Sequence, residues 1–168
     1  MARALFPLIA VLFFSNCRQP DQSASRHGEK APTLAGNHDE VKTIVTTPSA
    51  PAPIGPYSQA TVAGNLIFVS GQVAKEAATG RLVTDDIKSE TRQVMENLKA
   101  ILQAAGAGFE HVVKTTIFLT DMNHFSQVNE VYGSYFTGHF PARETVAVKG
   151  LPLGVNVEIS MIAVKAAD

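Results

Sequence analysis

Val155-Asn156-Val157-Glu158-Ile159-Ser160-Met161-Ile162-Ala163-Val164 alternates with a period of two. Val155, Val157, Ile159, Met161 and Ala163 share one face, and Asn156, Glu158 and Ser160 share the other. Successive side chains of a strand point to opposite faces of a sheet. The stretch therefore predicts a strand that lays its apolar residues on a core and holds the Glu158 carboxylate mid-strand on the far face. Just upstream, Thr145–Val148 reads as another strand, joined to it through Leu151-Pro152-Leu153-Gly154.

Farther back the period changes. Ile87, Val94, Met95, Leu98, Ile101, Leu102 and Ala105 recur at steps of three and four, the stripe of an amphipathic helix. Thr84, Asp85 and Asp86 offer a cap and an acidic first turn, and Gly106 offers a stop. Met95 falls on the stripe and reads as core. A second helix is predicted from Met122 or Asn123 to Phe136, with Phe125, Val128, Tyr132, Tyr135 and Phe136 on one side. Asn129 stands four after Phe125 and three before Tyr132, on that same buried face. An unpaired buried amide costs ~1–3 kcal/mol, so Asn129 either bonds local backbone or serves a site, and the sequence supports both readings equally. Between the helices, His111–Leu119 (HVVKTTIFL) lacks strict alternation, which predicts a strand covered on both faces.

Toward the N-terminus, Val41–Thr46 reads as a short strand leading into Thr47-Pro48-Ser49-Ala50-Pro51-Ala52-Pro53, where prolines forbid regular pairing. Tyr57–Val62 and Leu66–Ser70 read as a hairpin around Gly64-Asn65. The order is then β-β-β-α-β-α-β-β, an α+β pattern in which two helices cover one face of a single sheet. The opposite face, which carries Glu158, is either partly solvated or covered by another subunit.

The composition agrees with one domain and a tail. The chain has 168 residues, 45% apolar and 17% charged, enough for a core but not for two full catalytic domains. With 14 Lys+Arg against 15 Asp+Glu and a net charge of -1, there is no basic field to attract phosphate backbones, which disfavours nucleic acid as a partner. Trp is absent and Phe occurs nine times, so the aromatic part of the core is expected to come mainly from Phe.

The first forty residues read as an address and a tether. Arg3 precedes the apolar run Ala4–Phe14, broken only by Pro7. That run is shorter than the ~20 residues needed to span a bilayer, and its layout is that of a secretory signal peptide. The single cysteine follows in Phe14-Ser15-Asn16-Cys17, a placement that resembles a bacterial lipoprotein signal, in which the cysteine becomes the lipidated first residue. Such signals usually carry Leu three residues before the cysteine and Gly, Ala or Ser directly before it, where this chain has Phe14 and Asn16. An ordinary cleaved signal peptide and a misassigned start codon are the competing readings. The polar, Pro-, Gly- and Ser-bearing residues that follow cannot bury enough surface to offset ordering entropy. The expected organisation is a signal peptide over 1–16, a flexible tether over 17–40 with Cys17 as lipid anchor, and a folded domain over 41–168. On that reading the protein is exported to the periplasm and touches a membrane only through the anchor.

Familiar chemical motifs are missing. There is no phosphate-binding glycine loop, GxSxG elbow or HExxH pair, and His27, His38, His111, His124 and His139 lack metal-ligand spacing. A lone cysteine excludes an internal disulfide. What remains is a set of polar residues in or beside apolar segments: Tyr57, Ser70, Asn129, Arg143 and Glu158. Phe140-Pro141-Ala142 fixes an extended approach to Arg143 and predicts a guanidinium aimed from a rigid loop. Such a group suits bidentate capture of a carboxylate. A surface ion pair with Glu144 is the competing fate.

Taken together, Ile54-Gly55-Pro56-Tyr57-Ser58-Gln59-Ala60, Val69-Ser70-Gly71-Gln72, Val112-Val113-Lys114-Thr115-Thr116, Val128-Asn129-Glu130-Val131-Tyr132, Phe140-Pro141-Ala142-Arg143, Leu151-Pro152 and Val157-Glu158-Ile159 resemble the RidA/YjgF family, the reactive intermediate (enamine/imine) deaminases, across residues 42–165. The resemblance implies a chorismate-mutase-like α+β fold assembled as a homotrimer with clefts at the subunit interfaces. It also implies hydrolysis of 2-aminoacrylate and related 2-imino acids to 2-keto acids and ammonia, with no metal or organic cofactor. Carried over position by position, Arg143 would hold the substrate carboxylate, Glu158 would position or activate water, and Tyr57 would complete the catalytic group. Ser70 and Asn129 would line the cleft, with backbone groups of Gly71 and Thr145. Thr145 stands where many deaminase members have Cys, and Ser160 stands where they commonly have a second Glu. A trimeric, non-catalytic binder of small carboxylated metabolites is the alternative function. The endoribonuclease label of some relatives finds no basic excess here.

Overall fold

A computed structural model of the chain describes residues 42–165. The predicted signal peptide 1–16, the tether 17–40 and Cys17 lie outside the described residues. The elements are β1 (Thr43–Val45), β2 (Ala60–Ala63), β3 (Leu66–Gln72), α1 (Ile87–Ala104), β4 (Val112–Leu119), α2 (Phe125–Gly133), β5 (Ala142–Ala147) and β6 (Val157–Val164), with short 3-10 turns between some of them. The strands form one six-stranded mixed sheet of order β1-β2-β3-β6-β4-β5. Only β4 and β5 run parallel, and α2 makes the crossover between them. This is the α+β architecture read from the sequence.

Strand β6 keeps the expected alternation. Val157, Ile159, Met161 and Ala163 are buried, while Glu158 and Ser160 lie half-buried on the opposite face. Its central position between β3 and β4 explains why its core face is complete. The hairpin closes with Ala63 opposite Leu66, and Gly64 takes φ +59° in the turn. Strand β2 begins at Ala60, however, so Tyr57 lies in the preceding loop.

Helix α1 starts after Asp86, whose Oδ1 accepts from the N–H groups of Lys88 at 2.9 Å and Ser89 at 3.0 Å. Gly106, at φ +76°, turns the chain away beyond its end. Its stripe, Ile87, Val94, Met95, Leu98, Ile101 and Leu102, is buried on β3 and β6. Helix α2 is shorter than predicted and ends at Gly133. Tyr135 and Phe136 leave it in a turn, yet both rings still pack edge-on against Phe109 at 5.4 Å. Among the described residues, Tyr132 is the one buried aromatic, and Phe109, Phe125, Tyr135 and Phe136 pack half-buried against the core.

Strand β4 is covered on one face only within the described chain. Thr115, Ile117 and Leu119 are buried, and Thr116 and Phe118 are half-buried on the other side. Its irregular pattern comes from a register shift between Val112 and Lys114, which inserts Val113 as an extra residue and resets the alternation. Strand β5 begins at Ala142 instead of Thr145. The uncovered face carries one cross-strand row of Ile44, Thr61, Phe68, Ile162 and Lys114, a second of Ser160, Thr116 and Glu144, and a third of Glu158, Phe118 and Val146. Ile44, Phe68 and Val146 are exposed there.

Candidate functional site

The early start of β5 moves Arg143 from a loop onto a strand, in register with buried Thr115 of β4. Its side chain therefore takes the helix-covered side of the sheet. The guanidinium lies over the rings of Tyr132 at 5.0 Å and Phe125 at 5.8 Å, both from α2. Such stacking contributes ~0.5–2 kcal/mol and fixes the plane of the fork. Tyr132 is itself held, since its hydroxyl donates to Thr115 Oγ1 at 3.1 Å.

Glu144 takes the other face. There it bonds Lys114 and Thr116, which together hold its carboxyl below the ordinary carboxylate value, the Lys114 contact contributing most. The Arg143–Glu144 ion pair is thus excluded by strand alternation. Among the described residues, no acid pairs with Arg143. The guanidinium instead opens into a cleft of about 440 Å³ shared with Asn129, Tyr132, Gly133, Phe140 and Pro141. Asn129 is half-buried and lines the same cleft; among the described residues, no side-chain hydrogen bond ties up its amide. Thr145 follows Arg143 on the same side, with its Oγ1 buried and without a partner among the described residues.

A second group of residues gathers on β3 and β6. Val69 faces Met161 and Gln72 faces Ile159, so Ser70 and Gly71 together oppose Ser160 in a bulge. The bulge presses Gly71 onto Glu158. A Cβ at position 71 would lie 1.9 Å from Glu158 Oε1 and 2.8 Å from its Cδ, so only glycine admits the carboxyl in this position. Burial pushes the Glu158 carboxyl above its ordinary pKa. A carboxyl raised in this way is a stronger base than a free one, and bases near the working pH transfer protons most effectively.

Ser70 reaches backward rather than into the cleft. Its hydroxyl donates to the Ser58 carbonyl at 2.7 Å, and its N–H donates to the Gln59 carbonyl at 3.0 Å. Both bonds fix the loop that carries Tyr57. Tyr57 is 47% exposed, its hydroxyl accepts from the Ile54 N–H at 3.2 Å, and it shares a shallow cleft with Gly71, Gln72 and Leu153.

Three residues escaped the sequence reading. Gln59, 2% exposed, accepts from the Thr47 N–H at 2.7 Å and donates to the carbonyls of Thr47, Ala50 and Pro51, pinning the proline-rich loop. Glu90 is fully buried on α1 and bonds the start of β6. Its position three after Ile87 and four before Val94, on the apolar stripe, was the available signal. Leu153 takes φ +60° beside Tyr57, a conformation that nothing in Leu-Pro-Leu-Gly announces.

The two groups lie on opposite faces of the sheet. Arg143 aligns with Thr115 on the helix side, and Glu158 aligns with Phe118 on the open side. No cleft among the described residues is lined by both Arg143 and Tyr57 or Gly71. Within the described chain the two groups are thus separate.

A protein-family model described as Endoribonuclease L-PSP matches residues 47–165. The chain belongs to the RidA/YjgF family. Within this family it is 51% identical over 125 residues to a RutC family protein of Pyrococcus horikoshii, covering 74% of this chain and 99% of that one. It is 47% identical over 125 residues to the 2-iminobutanoate/2-iminopropanoate deaminase of Mus musculus, covering 74% and 91% of the two chains. The crystal structure of YyfA, a Rid family protein of Yersinia pestis, superposes with a TM-score of 0.72 at 48% identity, covering 73% of this chain and 98% of that one. These matches extend over nearly the whole described domain.

Proposed function

We propose that this RidA-family protein hydrolyses 2-imino acids, including those formed from 2-aminoacrylate, to 2-keto acids and ammonia. The active cleft is formed where the Arg143 half-site of one subunit meets the Glu158 half-site of a neighbour in a homotrimer. The observation that carries this reading is Arg143: a guanidinium stacked on two aromatic rings, without an acidic partner among the described residues, and opening into a cleft beside Asn129. The mouse relative named as a deaminase supports the same chemistry.

On this reading each group has a task. Arg143 binds the carboxylate through its fork and so fixes the plane of the adjacent C=N bond. Asn129 and the backbone beside Thr145 line the same side. Glu158 accepts a proton from water as the oxygen attacks the imine carbon, and the C=N π electrons move to nitrogen. The proton passes to that nitrogen to give the carbinolamine. Its hydroxyl proton then moves through the same carboxylate to the amine, the O–H electron pair forms the C=O as the C–N bond breaks, and ammonia leaves with the 2-keto acid. Tyr57 closes the cleft over Gly71. The imine carbon is already electrophilic, so orientation and one proton-handling carboxylate suffice.

The test is release of 2-keto acid from 2-aminoacrylate generated in situ by a dehydratase, together with a panel of amino-acid-derived imines. Acceleration over buffer supports the proposal, and none for any imine overturns it. Saturable binding of a 2-keto acid without turnover, seen by calorimetry, would replace it with the binding-module reading. A ribonuclease reading is disfavoured by the near balance of 14 basic and 15 acidic residues. Export with an anchor at Cys17 belongs to the same proposal, supported by the signal-like segment 1–16. Labelling with a palmitate analogue, compared with Cys17→Ala, tests it.

A further inference from the structure

Glu90 is a carboxylate in the middle of the apolar face of α1, with no exposed surface. Burial of such a group is costly unless its oxygens are satisfied, and here three N–H donors satisfy them. Oε1 accepts from the backbone N–H groups of Asn156 at 2.6 Å and Val157 at 3.2 Å, and Oε2 accepts from Asn156 Nδ2 at 2.9 Å. From the other side, the end of β4 grips the same residue: the Thr120 N–H donates to the Asn156 carbonyl at 3.0 Å, and Thr120 Oγ1 donates to Asn156 Oδ1 at 3.3 Å. The next residue after this clamped pair is Glu158.

Clearance at Glu158 makes the clamp consequential. The carboxyl fits only because position 71 has no Cβ; its Oε1, Cδ and Cγ lie 1.9, 2.8 and 3.1 Å from where that atom would stand. A small rotation of the backbone at Asn156–Val157 would swing the carboxyl off Gly71 and toward water. We infer that Glu90 is a positioning residue for Glu158, holding the start of β6 in the orientation that seats the Glu158 carboxyl against Gly71. The inference rests on the reading of Glu158 as the base. Arg143 stands on β5, outside the clamp, so substrate capture is independent of Glu90.

The experiment compares full-length wild type, Glu90→Leu, Glu90→Gln and Asn156→Ala. It reads imine turnover and the titration of the Glu158 carboxyl by carbon-13 NMR. In Glu90→Leu, kcat should fall about 10²-fold, the scale of a 1 Å misplacement, with KM little changed, and the Glu158 titration should move toward the ordinary carboxylate value. Glu90→Gln keeps an oxygen for the backbone N–H groups and should restore both. Asn156→Ala removes one of the three bonds and should give an intermediate effect, and it carries the test should Glu90→Leu not fold. A folded Glu90→Leu whose Glu158 titrates as in wild type overturns the inference, whatever its turnover, as does a folded Asn156→Ala with wild-type titration should Glu90→Leu not fold. Wild type that turns over no imine overturns the deaminase reading alone, because the titration still decides the role of Glu90.

Discussion

At the scale of single residues, strand alternation separates groups that are neighbours in sequence. Arg143 and Glu144 differ by one position and therefore face opposite sides of β5, one over Tyr132 and Phe125, the other on Lys114. Arg143→Ala should raise KM for imino acids about 10- to 100-fold, the value of one or two charge-assisted hydrogen bonds. Arg143→Lys should recover only part of this, since a point charge lacks the planar fork. Steady-state kinetics at saturating and limiting substrate check both.

Burial of the Glu158 carboxyl carries a stability cost. Its folded-state pKa lies above the ordinary carboxylate value because burial disfavours the charged form. Relative to the unfolded chain, folding shifts Glu158 toward its protonated form, and the associated stability is present below the unfolded pKa and lost as pH rises through the folded one. Glu158→Gln should therefore melt higher than wild type at pH 7, with the difference vanishing near pH 4. Its kcat should drop by about 10²–10⁴-fold, the usual contribution of a general base. Calorimetric melts across pH, with kinetics on the same samples, test the pair of effects. A gain in stability without loss of turnover would remove Glu158 from the mechanism.

At the scale of elements, the site depends on two fixtures. The first is the bulge of β3, which brings Gly71 against Glu158. The second is Gln59, whose amide replaces the strand pairing that the prolines of segment 47–53 cannot make. Gln59→Leu would leave buried carbonyls and an N–H without partners, at about 1–3 kcal/mol for each group left unsatisfied. A lower urea midpoint and faster proteolysis within residues 47–53 are expected.

Elements with a strong local signal were legible. The periodic stripe of α1 and the alternation of β6 survive in the structure almost residue for residue, because burial on one face imposes the period directly. The end of α2 was less so. Tyr135 and Phe136 continue the apolar stripe, yet they reach the core from a turn past Gly133 by packing on Phe109. A helical period and a turn can bury the same side chains, and only three-dimensional contacts distinguish them. Likewise, the irregular pattern of β4 was read as burial on both faces, when a one-residue bulge at Val113 had reset the phase.

At the scale of the whole molecule, the open sheet face is the outstanding feature. It presents Ile44, Phe68 and Val146 to solvent within a subunit, beside the Lys114–Glu144–Thr116 cluster and Glu158. Apolar surface of this kind favours association, in keeping with the proposed homotrimer. Phe68→Glu should yield a folded, dissociated subunit by sedimentation, with imine turnover lost although Arg143 and Glu158 are intact. A monomeric variant with full activity would place the complete site within one subunit.

The sequence by itself determined the α+β order, the core stripes of α1 and β6, the one-sided placement of Glu158 and the family motifs, since each follows from local periodicity or from residues in a short run. Tertiary structure alone decided which faces those residues occupy relative to one another. Arg143 lies on the helix side and Glu158 on the open side because β5 and β6 each register with β4 in a phase set by bulges and strand starts. Gly71, Gln59 and Glu90 acquire their roles from partners 87, 12 and 66 positions away in the chain. Close packing and hydrogen-bond satisfaction across such separations are properties of the folded chain, and no local pattern encodes them.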